Sequence, residues 1–201
     1  MNTLSNIGAV ILAAGSSSRL GRPKQLVEYQ DKTLLQHTVD SVSELTFDPA
    51  LLILGAHADE IRDQTDTKAV TLVDNEQWSE GIASSIRLGL SESLKLNASL
   101  HHILFLLSDQ PYIDTELIQN LIKQHAGGTK PITACCYKED IGVPAIFSRS
   151  FFPQLMNLTG DIGAKKIIAQ NIEKVATVRF KKGFFDVDTV EDVNQLHAKK
   201  M

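Results

Sequence analysis

Residues 9–26 read AVILAAGSSSRLGRPKQL, from Ala9 to Leu26. The apolar run Ala9, Val10, Ile11, Leu12, Ala13, Ala14 stops abruptly at Gly15. A run this short, bounded by turn residues, predicts a strand buried on both faces, as in a parallel sheet. Beyond it come Ser16, Ser17 and Ser18, then Arg19, Gly21, Pro23 and Lys24. Small residues let backbone N–H groups approach a ligand closely, and cations beside them suit a polyphosphate. A strand followed by a basic surface loop accounts for the apolar run equally well. It does not account for small residues, Arg19 and Lys24 crowding into one turn.

Two familiar phosphate loops are excluded by spacing. The pattern G-x-x-x-x-G-K-[ST] fails because the glycine after Gly15 is Gly21, followed by Arg22 and Pro23. The dinucleotide pattern G-x-G-x-x-G fails because neither Ser17 nor Leu20 is glycine. What remains, L-A-A-G-x-S-x-R-x-G-x-P-K-Q-L, resembles the signature loop of nucleotidyltransferases that activate a phosphate-bearing substrate with an NTP. Within that group it is most similar to the molybdenum cofactor cytidylyltransferases.

The chain of 201 residues is long enough to bury a large core in one domain. Hydrophobic residues at 43% and charged residues at 22% are ordinary for a soluble globular protein. A formal net charge of −4, with no basic face or RNA motif, argues against nucleic acid as a partner. The basic pairs Lys165-Lys166, Lys181-Lys182 and Lys199-Lys200 read as solvated surface. Cys135 and Cys136 are adjacent, so they lack the geometry for a structural disulfide and the partners for a zinc site. They read as core thiols in a reducing cytoplasm. Ile7 to Ala14 mimics the apolar core of a signal peptide, but no Lys or Arg precedes it. No apolar run approaches the roughly 18–20 residues that span a bilayer. The expectation is a soluble, cytoplasmic protein with no membrane partner, most simply a monomer.

Farther along, Thr33 to Leu45 has helical periodicity, with Asp31 or Thr33 available as cap. Strands are expected at Ala50–Leu54, Ala69–Val73 and His102–Leu107, with a short helix near Asp59–Gln64. Ile82, Ile86, Leu90 and Leu94 recur every four residues, placing Ser84 and Ser85 at a helix start beside Gly81. Such a start can bind an anion or hydroxyls, or the serines can simply cap. The spacing N-x-x-W-x-x-G-x-x-S-S, beginning at Asn75, resembles the same family's second nucleotide-side motif. Ser108-Asp109-Gln110-Pro111 follows a strand end, where open α/β sheets bind ligands. Asp109 could be an ordinary turn residue, but L-x-D-Q-P resembles the family's metal-binding motif.

Ile132–Tyr137 and Val143–Phe147 read as strands around a turn from Lys138 to Gly142, an antiparallel excursion on a parallel sheet. Gly160-Asp161-Ile162-Gly163-Ala164 opens a helix to about Gln170. G-V-P-A-x-F and G-D-x-G-A-[KR] resemble the acceptor half of the cytidylyltransferases. A strand at Lys174–Phe180 precedes a final helix, Val190–Ala198, where Thr189 and Asp192 can form a capping box. In D-x-D-T-x-E-D, Asp188 matches the position that supplies a second carboxylate to the metal in related enzymes; Asp186 is the other candidate. Strands alternating with helices argue for one domain over residues 1–201. Its class is α/β, a Rossmann-like doubly wound, mostly parallel sheet with a small antiparallel element. The nucleotide-binding half spans about 7–110 and the acceptor-binding half about 111–198.

The resemblance implies an enzyme that transfers a nucleotidyl group from an NTP to an acceptor phosphate, expelling pyrophosphate. The acceptor phosphate is already anionic, so no Ser–His or Cys–His nucleophile is needed. It further implies catalytic roles for Arg19, Lys24 and Asp109, and Mg²⁺ held by Asp109 and Asp188. The nucleotide would lie against Leu12, Ala13, Ala14, Gly15, Ser16, Ser17, Ser18, Arg19 and Lys24, and against Asn75, Gly81, Ser84 and Ser85. The acceptor would meet Gln110, Pro111, Pro144, Gly160, Asp161, Gly163 and Ala164. Guanylyl-transferring relatives tend to carry glycine and aspartate where this chain has Arg22 and Pro23. The resemblance therefore implies CTP and a molybdopterin-type substrate, serving a xanthine-dehydrogenase-type client. Alternatives are another phosphorylated acceptor, such as a sugar or polyol phosphate, and a non-catalytic chaperone for the pterin.

Overall fold

The computed structural model describes residues 7–138, 140–183 and 185–198. The segment 1–6 and the pair Lys199-Lys200 lie outside them. The opening apolar run forms β1 (Ile7–Leu12), buried along its whole length. It ends two residues earlier than its apolar composition suggests, and Ala13 and Ala14 are buried in the loop. Next is a hairpin absent from the sequence expectations, β2 (Glu28–Tyr29) and β3 (Lys32–Thr33). Its turn residues Gln30 and Asp31 have φ of 49° and 67°, the left-handed pair of a tight hairpin turn.

The remaining elements are α1 (Leu34–Ser43), β4 (Ala50–Leu54), α2 (Ala58–Gln64), β5 (Thr71–Asp74), α3 (Ile82–Leu96), β6 (His102–Leu107), α4 (Thr115–Gly127), β7 (Ile132–Tyr137), β8 (Asp140–Ser148), α5 (Phe152–Met156), α6 (Ala164–Gln170), β9 (Val175–Arg179) and α7 (Val190–Ala198). Caps match their residues: the Thr33 side chain accepts from Gln36 N at 3.1 Å, and Asp114 caps α4 through Leu117 N at 2.8 Å. Thr189 and Asp192 form the expected reciprocal box, at 2.8 and 3.2 Å.

Seven strands form one sheet in the order β5-β4-β1-β6-β8-β7-β9. Every pairing is parallel except those of β8, which runs antiparallel to both β6 and β7. The expected excursion is therefore present, but β8 begins at Asp140, so the turn after β7 is tighter than Lys138–Gly142. Strand alternation feeds two cores. Val10, Ile53 and Phe105 face α3, α5 and α6, while Ile11, Leu52 and Leu104 face α1 and α4. A third cluster decides the site. Phe185, Val187, Val193 and Leu196 pack on Leu20, Val27 and Leu34, folding the C-terminal segment over the loop after β1.

Cys135 is a core thiol, as its apolar surroundings predict, and burial pushes its pKa to about 12. Between α4 and the sheet, His125 Nδ1 meets Thr133 Oγ1 at 2.9 Å and His125 Nε2 meets His102 Nδ1 at 2.8 Å. Burial, then the neighbouring His102, depress the His125 pKa to about 4. A histidine held neutral in the fold but free to charge when unfolded stabilises above its unfolded pKa of 6.5. That stability is lost as pH falls toward 4. The midpoint of urea unfolding should therefore drop more steeply over this interval for the wild type than for His125→Gln.

Candidate active site

β1 and β6 are neighbours in parallel register, with Leu12 opposite Leu107. The loops after them consequently leave the same sheet edge side by side. Ser108 Oγ donates to Leu12 O at 3.1 Å and ties the two exits together. The loop after β1 is built around Gln25, which is 1% exposed. Its Nε2 donates to Ala13 O at 2.8 Å and to Gly15 O at 3.2 Å. Ser17, at φ 52°, accepts Leu20 N and Gly21 N on its carbonyl and Lys24 N on its hydroxyl. Among the hydrogen bonds of the described residues, none uses the amide N–H groups of Ala14 through Arg19. They form a run of unused donors, and a Cβ built on Gly15 would stand in open space.

Lys24 is where the distant segments converge. Its Nζ lies 2.5 Å from Asp109 Oδ2 and 2.8 Å from Asp188 Oδ1. Arg19 Nη2 reaches the other Asp188 oxygen at 2.9 Å. Val187 N donates to Asp109 O at 3.0 Å, which is how the C-terminal segment brings Asp188 to β6. Burial alone would lower the Lys24 pKa, but the carboxylates of Asp109 and Asp188 hold it above its ordinary value. The second oxygen of Asp109, Oδ1, is buried with no hydrogen-bond partner.

Asp186, the alternative to Asp188, points elsewhere: its Oδ1 accepts from Gln110 Nε2 at 3.0 Å. The residue is exposed by area, yet its carboxyl stands against the protein. Lost hydration, then the Asp109 charge, raise its pKa to about 6.

A cleft of about 340 Å³ opens over this cluster, lined by Gly15, Ser16, Lys24, Trp78, Ser85 and Asp109 among others. Of the expected nucleotide contacts, Ala13 supports the cleft without facing it, because its N–H donates to Ile53 O and its carbonyl accepts from Gln25. Asn75 and Ser84 are likewise internal. Asn75 Nδ2 donates to Ser84 Oγ at 2.8 Å and to Ser85 Oγ at 2.9 Å, and Ser84 Oγ donates to Gly81 O. Trp78 and Gln25 were not among the expected residues. Both lie inside the motifs quoted for the family, Trp78 in N-x-x-W-x-x-G and Gln25 in the closing P-K-Q-L.

A second chamber of about 300 Å³ shares Leu12, Ile82 and Leu107 with the first. It is lined by Phe105, Gln110, Tyr137, Gly163, Ala164 and Asp186. Of the residues expected to face an acceptor, Gln110, Gly163 and Ala164 are here. Pro111 and Pro144 are buried and set the course of the backbone beside it. Gly160 and Asp161 are not in this chamber. They abut Gly81, and Asp161 lines the first cleft, because Gly160 O accepts from Ala83 N at the start of α3. Burial, then the nearby Asp186 charge, push the Tyr137 phenol to about 12, which keeps it a neutral hydrogen-bonding group.

Among the described residues, no three His, Cys, Asp or Glu side chains form a ready-made metal cage. Two carboxylates around one cation-sized point, with a buried oxygen unpartnered, nonetheless fit a hard divalent ion that keeps waters and takes other oxygens from substrate.

Residues 9–175 match the MobA-like NTP transferase domain. Rv0371c of Mycobacterium tuberculosis H37Rv is 31% identical, with a TM-score of 0.82, covering 96% of this chain and 98% of its own. That protein has also been crystallised in complex with manganese. Its homologue from Mycobacterium sp. strain JC1 is 32% identical over 96% of both chains, with a TM-score of 0.81. Nicotine blue oxidoreductase of Paenarthrobacter nicotinovorans is 27% identical over 94% of this chain and 96% of its own length.

Proposed function

The chain belongs to the MobA-like NTP transferase family, and we propose that it transfers CMP from CTP to the phosphate of a molybdopterin-type acceptor. The observation that carries this reading is the meeting of Lys24, Asp109 and Asp188 at the mouth of a cleft edged by unused backbone donors. An acceptor phosphate oxygen attacks the α-phosphorus, the bond to the bridging oxygen of the β-phosphate breaks, and pyrophosphate leaves. No base is required, so the work is positioning and charge stabilisation. Free N–H groups from Ala14 to Ser18 cradle the phosphates. Arg19 and Lys24 neutralise the leaving pyrophosphate, with Lys24 within reach of the α-phosphate. Gly81 and Ser85 border the ribose, and Asn75 with Ser84 hold Ser85 in place. Asp109 and Asp188 would hold Mg²⁺, which when bound polarises the phosphate oxygens.

The halves divide the labour, about 7–110 for nucleotide and about 111–198 for acceptor, except that Asp161 serves the nucleotide side. The second chamber, lined by Phe105, Tyr137 and Gln110, suits a ring system bearing hydrogen-bonding edges. CTP is favoured over GTP by the resemblance at Arg22-Pro23. No helix among the described residues is long and apolar enough to cross a membrane. We place the enzyme in the cytoplasm as a monomer serving a xanthine-dehydrogenase-type client.

The test is pyrophosphate release from CTP, GTP, ATP and UTP in turn, with Mg²⁺ and molybdopterin supplied together. Pterin-dependent release with CTP alone is expected. Release with GTP would overturn the base assignment. Reaction with a sugar or polyol phosphate instead would overturn the acceptor, and silence throughout would favour a pterin chaperone. A second reading, oxidation or reduction of a substrate, rests on the whole-length similarity to nicotine blue oxidoreductase. Consumption of a reduced nicotinamide cofactor without pyrophosphate release would support it.

A further inference from the structure

Lys24 stands where the cation should be. Its ammonium contacts both carboxylates that the proposed function assigns to a divalent ion, at 2.5 Å and 2.8 Å. Asp109 is held in a buried position with one oxygen unpartnered, and Arg19 covers the outer oxygen of Asp188. We propose that Lys24 is an internal counter-ion for the metal site, which opens to a divalent cation when the triphosphate draws the ammonium away. This rests on reading Asp109 and Asp188 as the metal ligands.

The physical argument is one of competition. Two carboxylates sharing a site repel one another unless a cation lies between them, so the nucleotide-free protein fills the place with its own charge. A metal entering that state must displace a lysine from two close charged contacts, which weakens metal binding to the free protein. A triphosphate offers the ammonium an alternative partner of higher charge. Once Lys24 has moved onto the phosphates, both carboxylates are left facing the same point. Nucleotide and metal then favour each other's binding by the same factor, as linkage requires. The lysine thus has two successive partners, and the exchange prevents metal from loading an empty site.

The test is Mn²⁺ binding in the absence of any nucleotide, read as loss of the free-ion electron paramagnetic resonance signal. Wild type should bind weakly. Lys24→Met and Lys24→Gln, which remove the charge, should bind at least tenfold more tightly, while Lys24→Arg, which keeps it, should stay as weak as wild type. Mn²⁺ should also raise the melting temperature of the two neutral variants and barely move that of wild type. If either neutral variant is unfolded alone, added Mn²⁺ should restore a cooperative melt, and failure to do so overturns the proposal. Equal Mn²⁺ affinity in wild type and the neutral variants also overturns it, provided Asp109→Asn weakens both. If Asp109→Asn leaves the tight binding of Lys24→Met unchanged, the assignment of the metal ligands itself falls.

Discussion

Lys24→Met should lower pterin-dependent pyrophosphate release from CTP by about 10²–10³-fold, the scale seen when one electrostatic donor to a developing charge is lost. The reason lies in burial. The Lys24 side chain is 19% exposed and that of Asp109 is 11% exposed, so water replaces little of the missing charge. Removing one partner of such a pair costs on the order of 3–5 kcal/mol, because the remaining charge is uncompensated. Arg19 provides the contrast. Its side chain is 70% exposed, and its pair with Asp188 belongs to a class worth about 1 kcal/mol or less. Melting curves with saturating Mg²⁺ should be run beside the kinetics, since metal restores the charge balance of the variant but not its turnover. Activity within tenfold of wild type would show that Lys24 does not act on the reacting phosphates. Combined with the metal-binding expectation, the variant should bind cation better and work worse.

Gly81→Ala should be the most damaging small substitution at the cleft. The residue has φ of 118°, a conformation that side chains rarely adopt. An added Cβ would lie 2.4 Å from Asp161 Oδ1 and 2.5 Å from the Gly160 carbonyl carbon and oxygen. The segment cannot easily retreat. Gly160 O accepts from Ala83 N, Gly160 N donates to Glu80 Oε1, and Arg87 joins Glu80 to Leu158 O. Backbone strain plus steric displacement should destabilise by roughly 3 kcal/mol. For a chain of this size that lowers the melting temperature by on the order of 6–12 °C. Adding Asp161→Ala should recover only part of the loss, since the clash with Gly160 backbone remains. A melting temperature unchanged within error would mean that the Gly81–Gly160 contact is not as close as described.

The central strands were legible because their chemistry is local. Ala50–Leu54 and Ile103–Leu107 are continuous apolar runs, the second entered through His102, and the strands Ala50–Leu54 and His102–Leu107 have the expected bounds. The edge strand β5 starts two residues later than its expected Ala69, since Leu72 and Val73 are each only half-buried, one on either face, between exposed Thr71 and Asp74, and its apolar signal is diluted. β8 was read short because Asp140 and Gly142 have the composition of a turn. Both residues pair with β7 directly across the turn, Asp140 with Tyr137 and Gly142 with Cys135, and this hairpin ladder carries the strand past them. The hairpin of β2 and β3 has arms too short to show a period.

The same division holds at the site. Lys24, Asp109 and Asp188 each stood in a recognisable local pattern. Their mutual contact depends on strand order and on the third hydrophobic cluster, neither of which is written in any one segment. The family resemblance puts Asp161 with the acceptor residues, whereas the Gly160–Ala83 hydrogen bond turns it toward the first cleft.

Asp188 meets Lys24 across 164 residues of chain. During translation, the loop after β1 and both parallel neighbours of β1 are made long before the segment that supplies this carboxylate. A ribosome-bound nascent chain that has folded its sheet would still lack one of the two acidic partners of Lys24. On the proposed function, the metal site is therefore completed only by the segment that leads into α7, and damage confined to that segment would leave a folded sheet without its second carboxylate.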